Sequence, residues 1–100
     1  MTKVALFVPL KAKAGKEEEV AAFLMSAGGL LAQEPLTIAW FAVRFDEKAF
    51  GIFDAFDGDE GRQAHLKGPI AAALMARFDE LFEGPLDIKT ADVLADRLPA

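Results

Sequence analysis

Two consecutive segments in the middle of the chain, residues 38–46 and 49–56, are apolar at both odd and even positions. Their β-branched and aromatic content is typical of strands, and the polar residues between them predict an antiparallel hairpin. Most antiparallel sheets keep one polar face in water, but neither face of this hairpin is polar. The sheet therefore needs a covering layer on each side, and a chain of 100 residues has enough helix for only one layer.

The pairing of the hairpin depends on the length of its loop. If residues 47–48 form a two-residue loop, Phe45 lies opposite Phe50. In that register the side chains of Arg44 and Asp54 leave opposite faces of the sheet, and direct pairing between them is not expected.

The rest of the chain completes a β-α-β-β-α-β order. We predict an α+β, ferredoxin-like single domain over residues 1–100, with a four-stranded antiparallel sheet and helices on one face. A second copy of the chain would cover the other face, so we expect a homodimer. The remaining predicted elements are a strand over 3–11, a helix over 16–32, a short helix over 59–66, a helix over 69–83 and a strand over 87–93. Gly28 and Gly29 leave two alternatives for the first helix: it ends near residue 27, or the glycines allow close packing within it.

Charge and composition exclude several classes of function. The formal net charge is −5, from 16 acidic and 11 basic residues, which argues against a nucleic-acid partner. No apolar run reaches the roughly 18 residues of a membrane span, and the first residues do not resemble a signal peptide. With no cysteine and one histidine, neither a metal site nor a disulfide is expected. No cofactor motif is present, and a cytoplasmic location is predicted.

One stretch resembles a known family. Residues 52–57 (Ile-Phe-Asp-Ala-Phe-Asp), followed by Asp59-Glu60 and Ala64-His65, are similar to the strand, acidic turn, helix and histidine of the antibiotic biosynthesis monooxygenase (ABM) family. The resemblance implies a dimeric α+β barrel with a pocket between the sheet and the helices of each subunit. It also implies oxidation of a phenol or quinol by O₂ without metal or flavin.

Two features of the sequence keep other functions open. Polyketide-oxidising members of the family place Asn and Tyr around their substrate, and this chain contains neither residue type. In haem-degrading relatives the position of the iron ligand corresponds to Met75, and His65 falls where they carry Trp, so no haem is expected. The alternative to an oxygenase acting on a small aromatic or quinol is a non-catalytic dimeric barrel that binds a hydrophobic small molecule.

Six side chains are candidates for the site. His65 could move a proton near neutral pH or could simply cap its helix, and if it is catalytic, His65→Ala should abolish turnover without unfolding the protein. Trp40, Phe7 and Phe53 could contact a flat aromatic substrate or belong to the core.

The other two candidates are charged. Arg44 could hold a substrate carboxylate or form a salt bridge between subunits. Asp54 lies among apolar residues and must find a partner, because a buried lone carboxylate is unfavourable. It also matches an acidic position of the family.

Overall fold

The computed structural model describes residues 1–99 of the chain. Within these residues, no helix is long and apolar enough to cross a membrane. The elements are β1 (Val4–Ala12), α1 (Glu17–Ala27), a 3₁₀ helix (Gly28–Gln33), β2 (Ala39–Arg44), β3 (Ala49–Phe56), α2 (Asp59–Leu66), α3 (Pro69–Leu81), β4 (Phe82–Glu83) and β5 (Lys89–Asp92).

The strands form one antiparallel sheet with β1 in its interior. The order is β2-β3-β1, and β4 and β5 both pair with the free edge of β1, at opposite ends of that strand. This arrangement confirms the α+β, ferredoxin-like fold. The predicted count of four strands is wrong, because the last strand position is divided in two. Gly84, with φ of 77°, and Pro85 interrupt it, since neither residue favours a continuous ladder.

The first helix ends at the earlier of the two positions that the sequence leaves open, and the last helix ends before its predicted end. Helix α1 stops at Ala27 and the chain continues as a 3₁₀ helix from Gly28, because two adjacent glycines weaken an α-helix. Helix α3 stops at Leu81, since Phe82 leaves the helical conformation and pairs with Ala12 of β1. Helix α2 has the predicted bounds.

The hairpin register is one residue away from the prediction. Arg44 pairs with Phe50 and Trp40 pairs with Asp54. The cause is Asp46, whose carboxylate accepts the backbone N–H groups of Lys48 at 2.9 Å and of residue 49 at 2.8 Å. This Asx turn draws Asp46 into the loop, and the loop has three residues instead of two.

The shift by one residue reverses which β2 and β3 side chains share a face. Arg44 and Asp54 leave the same face of the sheet, contrary to the prediction, although they do not pair with each other. That face packs against the helices and forms the core. The buried residues of this core include Leu6, Leu10, Phe50, Ile52, Phe56, Val20, Leu24, Leu74, Leu81 and Phe82.

The opposite face of the sheet, which we call the outer face, has no helix over it. Its side chains are mostly apolar, and several are exposed: Phe41 is 54% exposed and Phe53 is 38% exposed. The rings of Phe7 and Phe45 lie over Gly51, where an added Cβ would come within 3.1 Å and 3.2 Å of them. The chain therefore presents a broad apolar surface beside a complete core.

Candidate functional site

The only histidine of the chain lies inside the protein. His65 belongs to the last turn of α2 and is 6% exposed. Helix α2 begins after Gly58 with Asp59 in its first turn, where negative charge is favoured by the helix dipole. The helix rests on the end of β3, and the imidazole packs against the ring of Phe56 with centroids 5.5 Å apart. His65 therefore points under the sheet and away from solvent.

Each ring nitrogen of His65 contacts a buried carboxylate. Nδ1 lies 2.5 Å from Oε1 of Glu34, and Nε2 lies 3.1 Å from Oδ2 of Asp54. Glu34 is 7% exposed and Asp54 is 1% exposed. We call these three residues the acid–histidine cluster.

Glu34 is held in place by the start of α3. Its Oε2 accepts the backbone N–H of Ile70 at 3.1 Å, a group in the first turn of the helix that has no partner within the helix itself. Gly68 allows this approach, because a Cβ at that position would lie 3.0 Å from Oε2 of Glu34. Asp54 is fixed by the sheet, between Leu6 and Trp40 on the neighbouring strands.

The cluster favours a charged imidazole. Burial alone lowers the pKa of His65, but the hydrogen bonds and negative charges of Asp54 and Glu34 outweigh it and raise the pKa above the ordinary value of 6.5. With both carboxylates ionised, the cluster carries one negative charge in excess. Both ring nitrogens then donate to carboxylates, so neither is free to accept a proton.

One carboxylate oxygen of the cluster remains without a partner. Oδ1 of Asp54 is buried and has no hydrogen-bond partner among residues 1–99. Asp54 and His65 line an internal cavity of about 30 Å³, and its other walls are apolar side chains of β1, β3, α2 and α3 together with Ile88. A cavity of this size has room for about two water molecules. Asp54, whose second oxygen is unpartnered among residues 1–99, therefore lines a small chamber whose walls are apolar apart from Asp54 and His65.

A second pocket lies on the other side of the histidine. It has a volume of about 140 Å³ and is lined by Glu34, His65 and Gly68, with exposed residues such as Pro35 and Leu36 at its rim. His65 thus separates this surface pocket from the internal cavity.

The structure brings only some of the predicted site residues together. His65 and Asp54 meet at the cavity, and Trp40 lies on the same face of the sheet as Asp54. Phe7 and Phe53 pair with each other across β1 and β3, and their side chains lie on the outer face, away from the cavity.

Arg44 also lies away from the cavity. Its guanidinium binds Glu18 at 3.0 Å and stacks over Phe50, 4.9 Å from the ring centroid. The salt bridge predicted between subunits is formed here within one chain.

The sequence did not single out Glu34. It sits in the connector between the 3₁₀ helix and β2, where no periodicity marks a buried side chain. The one available signal was indirect: a buried histidine among apolar residues needs polar partners. Within residues 1–99, no group of three or more metal-ligating side chains is arranged to hold a metal ion.

Solved structures identify the class of fold. A candidate antibiotic biosynthesis monooxygenase from Nitrosomonas europaea matches with a TM-score of 0.81 and 14% identity, covering 92% of this chain and 99% of that chain. Another from Caulobacter crescentus matches with a TM-score of 0.79 and 15% identity, covering 94% of this chain and 92% of that chain. The chain therefore has the ABM fold, as the resemblance implied.

A much closer likeness gives the family. A protein of unknown function from Nitrosomonas europaea is 53% identical over 100% of this chain and 97% of its own, with a TM-score of 0.96. The chain therefore belongs to the same family as this protein of unknown function, and it has the ABM fold. No family model matches the chain, and no curated protein matches it.

Proposed function

We propose that the protein is a cofactor-independent monooxygenase that oxidises a small aromatic or quinol with O₂ in the internal cavity. The observation that carries the proposal is Asp54, a buried carboxylate that lines a mostly apolar cavity and has one oxygen, Oδ1, without a hydrogen-bond partner among residues 1–99. A buried polar atom without a partner is rare in structural cores, and groups of this kind occur at functional sites.

The first step of the proposed reaction is removal of a proton from the substrate. Asp54 takes the proton on Oδ1, and His65 remains the charged partner of Oδ2. This assignment refines the prediction that His65 is the base, because its two nitrogens already face carboxylates. The apolar walls of the cavity keep the substrate anion away from water.

The substrate anion supplies the electrons for the second step. It transfers one electron to O₂, the two radicals combine into a peroxide, and loss of water leaves a carbonyl. For an anthrone, one substrate and one O₂ give one quinone and one H₂O, with one oxygen atom in each product. The protein's part is to orient the substrate, exclude water and hold the proton.

An aromatic substrate is larger than this cavity of about 30 Å³, so a wall must move. Ile88 is the lining residue that lies outside the helices and strands, in the connection between β4 and β5, and it is 41% exposed. We place the entrance at this side chain.

Oxygen consumption tests the proposed function directly. With a panel of hydroquinones and anthrones, we expect uptake above the enzyme-free blank, with one O₂ consumed per quinone formed from an anthrone. Tight binding of these compounds without oxygen uptake would contradict the proposal and would support the non-catalytic binder instead.

We further propose that the protein acts in the cytoplasm, a reducing compartment in which proteins do not rely on disulfides; this chain has no cysteine to form one.

We also propose that the protein is a homodimer. The support for the dimer is the outer face, whose exposed apolar side chains form one surface: Phe41, Val43, Phe45 and Phe53. Contiguous surfaces of this kind are characteristic of protein interfaces. Two sheets stacked about 10 Å apart would cover both outer faces at once.

A charge on the outer face should separate the subunits. Phe41→Lys is expected to weaken the dimer at least about a hundredfold in Kd, because burying an unpaired charge costs several kcal/mol. Sedimentation velocity across a concentration series measures this shift. Met25→Lys, at a residue of α1 that is 79% exposed, is the matched control and should remain dimeric. A wild-type protein that sediments as a folded monomer at micromolar concentration would refute the dimer.

A further inference from the structure

A third pocket, which we call the edge pocket, lies at the hairpin end of the sheet, between helix α1 and the edge strand β2. Its volume is about 220 Å³, and its walls include Ala21 and Met25 of α1, Ala42 and Arg44 of β2, and Phe50 of β3. Within residues 1–99, it shares no lining residue with the two pockets beside His65. Phe50 precedes Asp54 by four residues on β3, which is roughly 13 Å along a strand. The edge pocket is therefore a separate site.

The edge pocket exists because small side chains stand where the helix and the strand meet. Ala21 and Ala42 line it from α1 and from β2, and two methyl groups leave a space that longer side chains would fill. Met25, also in the lining, is 79% exposed, so the recess opens at the protein surface. Arg44 is the one charged residue of the lining. An apolar recess with a single charged group is typical of a site for a small ligand.

The guanidinium of Arg44 is held in place by its own hairpin. Nε donates to the backbone carbonyl of Asp46 at 3.2 Å, and Nη2 donates to the backbone carbonyl of Glu47 at 3.0 Å. The group also lies over the ring of Phe50. A cation that is already fixed loses little freedom on binding, and a planar guanidinium matches the two oxygens of a carboxylate.

Glu18 of α1 shows that this guanidinium accepts a carboxylate. Its Oε2 lies 3.0 Å from Nη2 of Arg44. The side chain of Glu18 is 84% exposed, and exposed ion pairs contribute little to stability. A carboxylate that also brings an apolar group into the pocket can therefore displace Glu18 at small cost.

We propose that the edge pocket binds a small apolar monocarboxylate, the class that includes medium-chain fatty acids. The apolar part occupies the recess between Ala21 and Ala42, and the carboxylate takes the place of Glu18 on the Arg44 guanidinium. Pockets for drug-sized ligands have volumes of about 300–1,000 Å³, so the smaller edge pocket suits a short chain. This inference does not depend on the proposed oxygenase activity.

Calorimetric titration with hexanoate and hexanol tests the proposal, because the two probes have chains of equal length and differ in the head group. We expect the wild type to bind hexanoate at least about threefold more tightly, through the ion pair with Arg44. Burial alone predicts the opposite order, since removing a carboxylate from water costs more than removing a hydroxyl.

Two substitutions should move the affinity for hexanoate in opposite directions. Arg44→Gln should remove the preference for the acid, whereas Glu18→Gln should raise the affinity for hexanoate about twofold to threefold, because a competing carboxylate is gone. Neither should change the affinity for hexanol by more than about twofold. Arg97→Gln, at an exposed arginine after β5, alters the net charge as Arg44→Gln does and should keep the wild-type preference.

A third variant tests the recess itself. Ala42→Leu fills the space beside α1 and should weaken binding of both probes at least about tenfold, with circular dichroism as the check of its fold. If this variant does not fold, the two substitutions of exposed side chains decide the question. Equal binding of hexanoate and hexanol to the wild type would overturn the proposal. It would also be overturned by a preference that survives in Arg44→Gln, or by absence of hexanoate binding in the millimolar range.

Discussion

His65→Ala is expected to lower the free energy of unfolding by about 3–5 kcal/mol at pH 7, because removal of one partner of a buried ion pair leaves uncompensated charge. In this variant two buried carboxylates lose their charged partner, since Glu34 and Asp54 both contact the imidazole. The sequence alone suggested that this variant would fold normally. Urea denaturation, at one fixed protein concentration because a dimer's stability depends on it, measures the change.

Two further variants show whether buried charge is the cause. Adding Glu34→Gln and Asp54→Asn to His65→Ala should restore more than half of the lost stability, since neutral amides remain where the carboxylates were. Gln63→Ala, at an exposed residue of the same helix, should change stability by less than about 0.5 kcal/mol. A loss below about 1 kcal/mol in His65→Ala would mean that the imidazole does not balance the two carboxylates.

Asp54→Asn is expected to reduce the rate of oxygen uptake by about 10²–10⁴-fold, the usual contribution of a general base. An amide has nearly the shape of the carboxylate but cannot accept the substrate's proton. The matched control is Asp57→Asn, three residues further on, where the side chain is exposed. The control should keep the wild-type rate.

The rate of oxygen uptake by Asp54→Asn is informative only if the variant is folded. Circular dichroism and the fluorescence of Trp40 establish whether Asp54→Asn is folded under the assay conditions. A folded Asp54→Asn protein with a rate within about threefold of wild type would exclude Asp54 as the base, because a general base contributes far more than that.

Local patterns predicted most of the fold. Helices α2 and α3 begin at the predicted residues 59 and 69, and the two hairpin strands are found within two residues of their predicted bounds. The register was not predictable from the same patterns. It depends on whether the carboxylate of Asp46 joins the loop, and apolar residues on both faces of the hairpin give no preference for either register.

The sequence predicted two of the three residues of the acid–histidine cluster. His65 and Asp54 stand out because polar residues in apolar surroundings need partners. Glu34 does not stand out, since it is 31 residues from His65 in sequence and lies in an irregular connector. Phe7 and Phe53 were expected near the substrate or in the core, because aromatic residues suit both places. The observed pairing of the strands assigns both side chains to the outer face instead.

The charge of His65 links the site to the stability of the fold. A pKa raised in the folded state means that the folded protein binds this proton more tightly than the unfolded chain does. The resulting stabilisation is fully present below pH 6.5, the ordinary value, and is lost as the pH rises through the folded pKa. Through this group, the protein should therefore become less stable as the pH rises above 6.5.

The most direct measurement is a pH titration of the imidazole ¹⁵N resonances by NMR, which belong to one residue because the chain has one histidine. An imidazolium held between Glu34 and Asp54 predicts a midpoint above 6.5, with Nδ1 and Nε2 both protonated on the acidic side of it. A midpoint at or below 6.5, with a neutral ring persisting into acidic solution, would show that the two carboxylates do not hold a charged histidine.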